Sequence, residues 1–166
     1  MQKERGNGAN VIVLNSKGEI LVVRQNYGEK KWMLPGGEIE RGESATHAAQ
    51  EETEEETGII IDAKELRLIA YFVQRPKGFV FLYETNKFSG EMVVEPEGEI
   101  LEVRFMSLAE IIEKKDTFGL GYIRMIVRYM RCSQGIDQIP YEGRLSEPVE
   151  CLKYTLFNYT DIILLI

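Results

Sequence analysis

Three glutamates are spaced so that an α-helix would bring them together. Glu52, Glu55 and Glu56 stand at positions i, i+3 and i+4, which share one face of a helix. Carboxylates within one turn repel one another unless a positive charge lies among them. Mg²⁺ and Mn²⁺ prefer oxygen ligands, and Mg²⁺ is commonly shared with the phosphates of a substrate. The spacing therefore predicts a divalent metal site and chemistry on a phosphate-bearing molecule.

The net charge of the chain is concentrated around these glutamates. The 23 residues from Gly37 to Ile59 hold eight carboxylates and one arginine, a net charge of −7 with the histidine neutral. The whole chain of 166 residues also carries −7, so the remaining residues balance. A solvated acidic face would have the same charge. The turn Pro35-Gly36-Gly37 favours a binding site instead, because glycine lets a ligand approach the backbone closely.

The helix that carries the glutamates has clear end signals. Ser44 is a good N-cap and Gly58 fits the position just after the last turn, so we predict a helix from Ser44 to Thr57. Its first half presents Ala45, Ala48 and Ala49 on the side of the glutamates. These small side chains would let the helix pack closely on a sheet and hold the carboxylates at its edge.

The remaining elements follow from apolar runs and turn residues. The runs predict strands over 11–14, 20–23, 32–34, 59–61, 66–73, 79–84 and 101–106. Helical patterns follow Ser107 to about residue 114 and cover 120–131, and the pattern is lost from Ser133 onward. Strands and helices without strict alternation predict an α/β sandwich around a mixed sheet.

Bulk properties place the chain among ordinary globular proteins. With 44% hydrophobic and 28% charged residues, we expect one domain with a substantial core. The two cysteines lack metal-type spacing and favour a reducing, cytoplasmic setting. The first residues show no apolar stretch of the signal-peptide type, and the C-terminal apolar run is too short to span a bilayer. The acidic balance argues against a general nucleic-acid binder and no membrane partner is expected.

The acidic segment resembles the Nudix box, in which a glycine, spaced glutamates and a final glycine follow a fixed pattern. The matching positions are Gly37, Glu43, Glu52, Glu55, Glu56, Gly58 and Ile59. The strand from Trp32 into the box also resembles the family, and the likeness extends roughly from Ala9 to Arg131. It implies a Nudix-like α/β/α sandwich around a mixed β-sheet. We expect a Nudix hydrolase domain over 1–146 and a C-terminal tail over 147–166.

The resemblance also implies an activity. Nudix hydrolases cleave a diphosphate linkage in a nucleoside diphosphate joined to another group, so a small-molecule nucleotide is the expected substrate. Among nucleic acids only a capped or triphosphorylated RNA end is expected, and a homodimer is compatible with the family. The implied cofactor is Mg²⁺ or Mn²⁺.

The implied roles fall on a small set of residues. The family's metal ligands match Glu52, Glu55 and Glu56, and the last two are also candidate catalytic residues. Structural roles are implied for Glu43 and Gly58. Many relatives use a further glutamate beyond the box as a ligand or base, and Glu99 is the first candidate for it, with Glu102 the second.

Candidates for substrate contact lie around the box. Gly36 and Gly37 offer an open backbone, and Arg24 ends a strand close to them, where it would hold a phosphate or be an ordinary surface residue. Aromatic side chains that would stack on a nucleobase, or belong to the core, are Tyr71, Phe72 and Phe79. Trp32 is expected in the core. Pro76 lies near the place where ADP-ribose pyrophosphatases of the family carry a proline.

Two positions depart from the family pattern. Glu51 stands where the family has arginine, and Thr53 where it has an apolar residue. The family's arginine holds a box glutamate in place, and Arg41 is a candidate replacement through Glu43 or Glu51. His47 is expected to face solvent without a role. The substitution at position 51 leaves two functions open, an active hydrolase and a nucleotide-binding Nudix fold with weak hydrolysis. A third hypothesis is that the segment is an acidic interaction module.

Overall fold

The computed structural model describes residues 6–73, 78–95 and 97–144. The strands are β1 Gly8–Val13, β2 Ile20–Gln25, β3 Trp32–Met33, β4 Gly36–Glu38, β5 Ile59–Ile61, β6 Arg67–Val73, β7 Phe79–Thr85, β8 Phe88–Gly90, β9 Ile100–Met106 and β10 Tyr141–Arg144. The helices are α1 Ala45–Thr57, α2 Leu108–Glu113 and α3 Leu120–Ser133, with short 3₁₀ turns at Ala63–Glu65 and Lys115–Thr117.

A five-stranded mixed sheet forms the centre of the protein. Its order is β10-β6-β7-β1-β4, with β1 parallel to β7 and antiparallel to β4. The strands β3, β2 and β9 form a second, antiparallel sheet, and β5 pairs with β8. This arrangement confirms the predicted α/β fold with a mixed sheet.

The two faces of the central sheet are buried against different helices. Side chains alternate along β1, so Ile12 faces one core cluster and Val11 the other. The first cluster includes Ile126 and Met130 of α3. The second includes Ala49 of α1. The sheet is thus covered on both faces, and α1 is positioned by small side chains as the sequence predicts.

Local hydrogen bonds define both ends of α1. The Ser44 side chain accepts a hydrogen bond from the His47 N–H at 3.2 Å. Gly58 has φ 73° and its N–H donates to the Glu54 carbonyl at 2.8 Å, a left-handed cap. Thr53 is fully buried, and its hydroxyl donates to the Ala49 carbonyl at 2.6 Å. The threonine therefore replaces an apolar residue without leaving a buried hydroxyl unpaired.

Three short strands were not predicted from the sequence. β4 lies where a turn was expected, and β8 and β10 had no predicted counterpart. β10 follows the breaking residues Gly135 and Pro140, pairs in parallel with β6 and forms one edge of the central sheet. The predictions for Pro76 and for the tail over 147–166 lie outside the described residues. No helix in the described part of the chain is long and apolar enough to cross a membrane.

Candidate active site

The three glutamates predicted as metal ligands lie at the C-terminal half of α1, beside the glycine turn. Glu55 is exposed, whereas Glu52 and Glu56 are partly buried. The Gly36 N–H donates to Oε2 of Glu56 at 3.0 Å. This hydrogen bond ties the carboxylate of the helix to the first residue of β4, and the role of the three glutamates as metal ligands stays a prediction.

The glycines of the turn make room for this arrangement. Gly36 has φ 136°, and a Cβ there would lie 2.1 Å from the Ala9 carbonyl oxygen. A Cβ on Gly37 would lie 2.2 Å from Oε1 of Glu52. A side chain at either position would displace the backbone or the carboxylate. The structure thus gives both glycines a packing role, and their contact with substrate stays a prediction.

Burial and mutual repulsion set the electrostatics of the cluster. Burial raises the pKa of Glu56 to about 8, against the opposing Gly36 hydrogen bond and with added repulsion from Glu52 and Glu99. Burial, then the charges of Glu55 and Glu43, also raise the pKa of Glu52. Negative charge at these carboxylates is therefore costly until a cation neutralises it. A donor set made only of carboxylate oxygens fits a hard divalent cation.

The structure separates the two candidates for the additional glutamate. The charge of Glu99 adds to the causes that raise the pKa of Glu52 and of Glu56, after burial and nearer charges. Its loop is held by Asn26, whose backbone N–H donates to the Glu99 carbonyl at 2.7 Å. Glu102 instead lies 4.0 Å from Nη1 of Arg24 and 3.9 Å from Nη1 of Arg104. The choice of Glu99 before Glu102 stays a prediction.

Arg24 is held on the second sheet by its neighbours. Its Nε donates to the Lys30 carbonyl at 3.1 Å, and its guanidinium lies 6.0 Å from the ring centre of Trp32. The Trp32 side chain is buried, as predicted. These contacts occupy part of the guanidinium, and a phosphate contact by Arg24 stays a prediction.

The surroundings of Glu51, which stands where the family has arginine, differ from the predictions made for Arg41 and His47. Within the described residues Arg41 makes no ion pair, so its predicted pairing with Glu43 or Glu51 is wrong. Nδ1 of His47 lies 3.1 Å from Oε1 of Glu43 and 3.4 Å from Oε2 of Glu51. The prediction that His47 is exposed is confirmed, but the expectation that it has no role overlooked partners one turn away on either side.

The predicted aromatic contacts divide in the structure. Phe72 is 2% exposed and packs in the core, so it is not available to stack on a nucleobase. Tyr71 and Phe79 lie together on the opposite face, with ring centres 6.4 Å apart, and Phe79 is 44% exposed. Phe81 continues this row at 6.4 Å from Phe79. The strand alternation in β6 explains why Tyr71 and Phe72 differ.

Sequence reasoning missed one polar residue that supports the site. Asn10 is buried in β1, and its Nδ2 donates to the Pro35 carbonyl at 3.3 Å and lies 3.4 Å from the Leu34 carbonyl. These contacts hold the chain that leads into Gly36. The available signal was an asparagine inside an otherwise apolar strand, since a buried amide needs partners.

Comparison with known proteins agrees with these features. Residues 4–128 match the family model described as NUDIX domain. The 8-oxo-dGDP phosphatase of Danio rerio is 35% identical over 100 residues, which cover 57% of this chain and 30% of that protein. Nudix hydrolase 7 of Arabidopsis thaliana is 33% identical over 117 residues, covering 66% of this chain and 41% of that protein. The chain thus spans less than half the length of these relatives.

A solved structure supports the fold. The crystal structure of a MutT NUDIX hydrolase from Burkholderia pseudomallei aligns with a TM-score of 0.61 at 20% identity, covering 75% of this chain and 98% of that one. The family match extends over more than half of the chain and includes the whole glutamate cluster. The chain belongs to the Nudix family.

Proposed function

We propose that this protein is a metal-dependent hydrolase that cleaves a diphosphate linkage in a nucleoside diphosphate joined to another group. The observation that carries the proposal is the partly buried carboxylate cluster of Glu52, Glu56 and their neighbours, with Glu56 fixed by the Gly36 N–H. A solvated acidic face would not raise the pKa of its carboxylates by burial. The cluster therefore favours a ligand site over an acidic interaction module.

Glu52, Glu55 and Glu56 are the proposed ligands of Mg²⁺ or Mn²⁺. When bound, such a cation neutralises phosphate charge and lowers the pKa of water. The helix and the Gly36 N–H keep the carboxylates in place before substrate arrives. Glu99, which lies directly before β9 on a separate part of the chain, is the proposed base that accepts the proton of the attacking water.

The central sheet offers a surface for the nucleoside end of the substrate. Gly37, Ala9, Phe81 and Tyr71 occupy one register row across β4, β1, β7 and β6. With about 4.8 Å between strands, Tyr71 lies roughly 14 Å from Gly37 along this row. That length suits a nucleoside whose diphosphate reaches the carboxylates. Tyr71 and the exposed Phe79 are the proposed aromatic contacts of the base.

The second candidate function is a nucleotide-binding module with weak hydrolysis. It is favoured by Glu51, which places a negative charge where the family has a positive one. The activity named for the Danio rerio relative suggests a nucleoside diphosphate with a modified base as the first compound to test. A capped or triphosphorylated RNA end, a homodimer and a cytoplasmic location remain secondary parts of the proposal.

A substrate panel tests the function. It contains nucleoside di- and triphosphates, ADP-ribose, dinucleoside polyphosphates and capped RNA, each with Mg²⁺ and with chelator. We expect Mg²⁺-dependent hydrolysis of at least one compound, a loss of at least about 100-fold in Glu56→Gln, and unchanged activity in the matched control Glu54→Gln, whose side chain is exposed outside the cluster. Binding without turnover would favour the second function, and no response to any compound or metal would contradict both.

A further inference from the structure

The side chains of Glu43, His47 and Glu51 form a cluster on successive turns, from the loop before α1 to the helix itself. Nδ1 of His47 and one carboxylate oxygen of each glutamate all lie within 4.8 Å of one another. His47 and Glu51 are exposed, with side chains 54% and 57% accessible, whereas that of Glu43 is only 14% accessible. The imidazole therefore lies between a shielded carboxylate and an exposed one.

Glu43 organises the loop that joins β4 to α1. Its Oε2 accepts a hydrogen bond from the Glu40 N–H at 2.9 Å, and its own N–H donates to the Glu40 carbonyl at 3.1 Å. Its other oxygen, Oε1, faces His47. The loop begins after Glu38, the last residue of β4, and the first two residues of that strand, Gly36 and Gly37, lie against Glu56 and Glu52. A shift of Glu43 would consequently reach the glycine turn.

Two carboxylates this close repel each other unless a positive charge lies between them. Glu43 and Glu51 are the charged groups that face the imidazole, one from the loop and one from α1, among the residues that the structure describes. A protonated imidazole satisfies both, and a neutral one leaves two negative charges beside a single hydrogen bond. The glutamate at position 51 thus creates a requirement for a cation that His47 meets.

We propose that protonated His47 is a positioning residue that holds Glu43 and its loop against α1, in place of the arginine that the family carries at position 51. The proposal rests on the proposed function for its effect on catalysis, but the ion cluster itself can be tested without activity. The pKa of His47 is raised first by its hydrogen bond to Glu43 and then by the charge of Glu51. The pKa of Glu43 is lowered first by the hydrogen bond from the Glu40 N–H and then by the one with His47.

These directions define the pH range in which the cluster holds. Because the pKa of the histidine is raised in the folded protein, protonated His47 stabilises the fold at pH values below its unfolded pKa. This stability is lost as pH rises through the folded pKa. Because the pKa of Glu43 is lowered in the folded protein, its carboxylate stabilises the fold at pH values above its unfolded pKa. This stability is lost as pH falls through the folded pKa. The cluster is therefore complete between the lowered pKa of Glu43 and the raised pKa of His47, and it is lost as pH rises through the latter.

The first experiment follows the imidazole directly. His47 is the single histidine of the chain, so its ring resonances in an NMR titration report this site alone. In the chelator-treated protein we expect a pKa above 6.5, and a lower value in both Glu43→Gln and Glu51→Gln. A pKa at its ordinary value that neither substitution moves would overturn the cluster, whether or not the protein hydrolyses any substrate.

The second experiment measures the consequence for catalysis. We expect His47→Gln to lower kcat/KM at pH 6 by roughly two- to tenfold, less than the 10–100-fold typical of direct partners of metal ligands. His47→Lys keeps a cation throughout this pH range, so the activity ratio of His47→Lys to wild type should rise as pH increases through the pKa of His47. Taking the ratio cancels the pH dependence that the metal-site carboxylates give to both proteins.

A rescue separates positioning from a general structural effect. Adding Glu51→Arg to His47→Gln restores a cation beside Glu43, and we expect it to recover the activity lost at pH 6. Equal activity of wild type and His47→Gln, or no rescue by arginine, would overturn the positioning role even where NMR shows the ion cluster. An inactive wild type with a normal cluster titration would instead contradict the proposed function and leave the ion cluster established.

Discussion

Replacing Glu56 by glutamine should remove a loss of stability that the metal-free protein suffers as pH rises from about 4.5 to 8. Glutamine keeps an oxygen that accepts the Gly36 N–H and removes the charge that burial opposes. The folded wild type holds a proton on Glu56 up to about pH 8, whereas the unfolded chain releases it near 4.5. Because the folded state binds the additional proton, its stability falls as pH rises between these values.

The magnitude follows from this difference in proton affinity. At about 1.36 kcal/mol per pH unit, the ionisation of Glu56 lowers the free energy of unfolding by up to about 5 kcal/mol between pH 4.5 and 8. That is a large fraction of the 5–15 kcal/mol typical of a folded domain, as an order of magnitude. In Glu56→Gln this contribution is absent, so the variant should be more stable than the wild type at pH 8.5 and similar to it at pH 5.

Urea unfolding in chelator, measured from pH 5 to 9, tests the expectation. Adding Mg²⁺ should stabilise the wild type more at pH 8.5 than at pH 5.5, because the cation replaces the proton, and should stabilise Glu56→Gln much less. Glu54→Gln is the matched control and should follow the wild type. If the free energy of unfolding depended on pH in the same way in wild type and Glu56→Gln, the raised pKa of Glu56 would be contradicted. Glu56 would then ionise in the folded protein as easily as in the unfolded chain.

Three further substitutions test other parts of the structure. Gly36→Ala should lower the free energy of unfolding by about 3 kcal/mol or more and weaken Mn²⁺ binding, because the new Cβ would meet a backbone oxygen. The control is Gly42→Ala, where φ is also positive but the Cβ would meet open space, and it should lower the free energy of unfolding by only about 1–2 kcal/mol. Asp137→Asn should lower the free energy of unfolding by about 1–3 kcal/mol near neutral pH, because Asp137 accepts hydrogen bonds from Arg131 at 2.7 and 3.0 Å. Although burial acts to raise the pKa of Asp137, these bonds hold that pKa below its usual range, so the stability difference between variant and wild type should shrink as pH falls through it. A stability difference that stays constant with pH would contradict this role of Asp137. Glu51→Arg should raise Mn²⁺ affinity in calorimetric titration by fixing Glu43 without a proton on the histidine, and an unchanged or weaker affinity would contradict that account of position 51.

The helix and its carboxylates could be predicted because their signals are local. Ser44 and Gly58 mark the ends of α1 by capping chemistry that depends on neighbouring residues alone. The i, i+3, i+4 spacing then places Glu52, Glu55 and Glu56 without knowledge of the rest of the fold. Strands such as β10 depend on a partner edge that is distant in sequence, and their few residues carry no periodic signal.

The details of the site depended on contacts that the sequence does not contain. Only the fold shows that Glu102 lies beside Arg24 and Arg104. His47 was correctly expected to face solvent, yet exposure did not exclude a role, because residues four positions away on the same helix side share its surroundings.

In the proposed function, hydrolysis depends on a divalent cation held by the carboxylates of α1. The most direct measurement titrates wild type, Glu56→Gln and Glu54→Gln with Mn²⁺ and follows bound metal and product formation in the same solution, with the best compound from the panel. We expect the rate to rise with metal occupancy in the wild type and in Glu54→Gln, and both metal binding and turnover to be lost in Glu56→Gln. Hydrolysis at full rate in chelator, or full metal binding and turnover by Glu56→Gln, would contradict the proposed function.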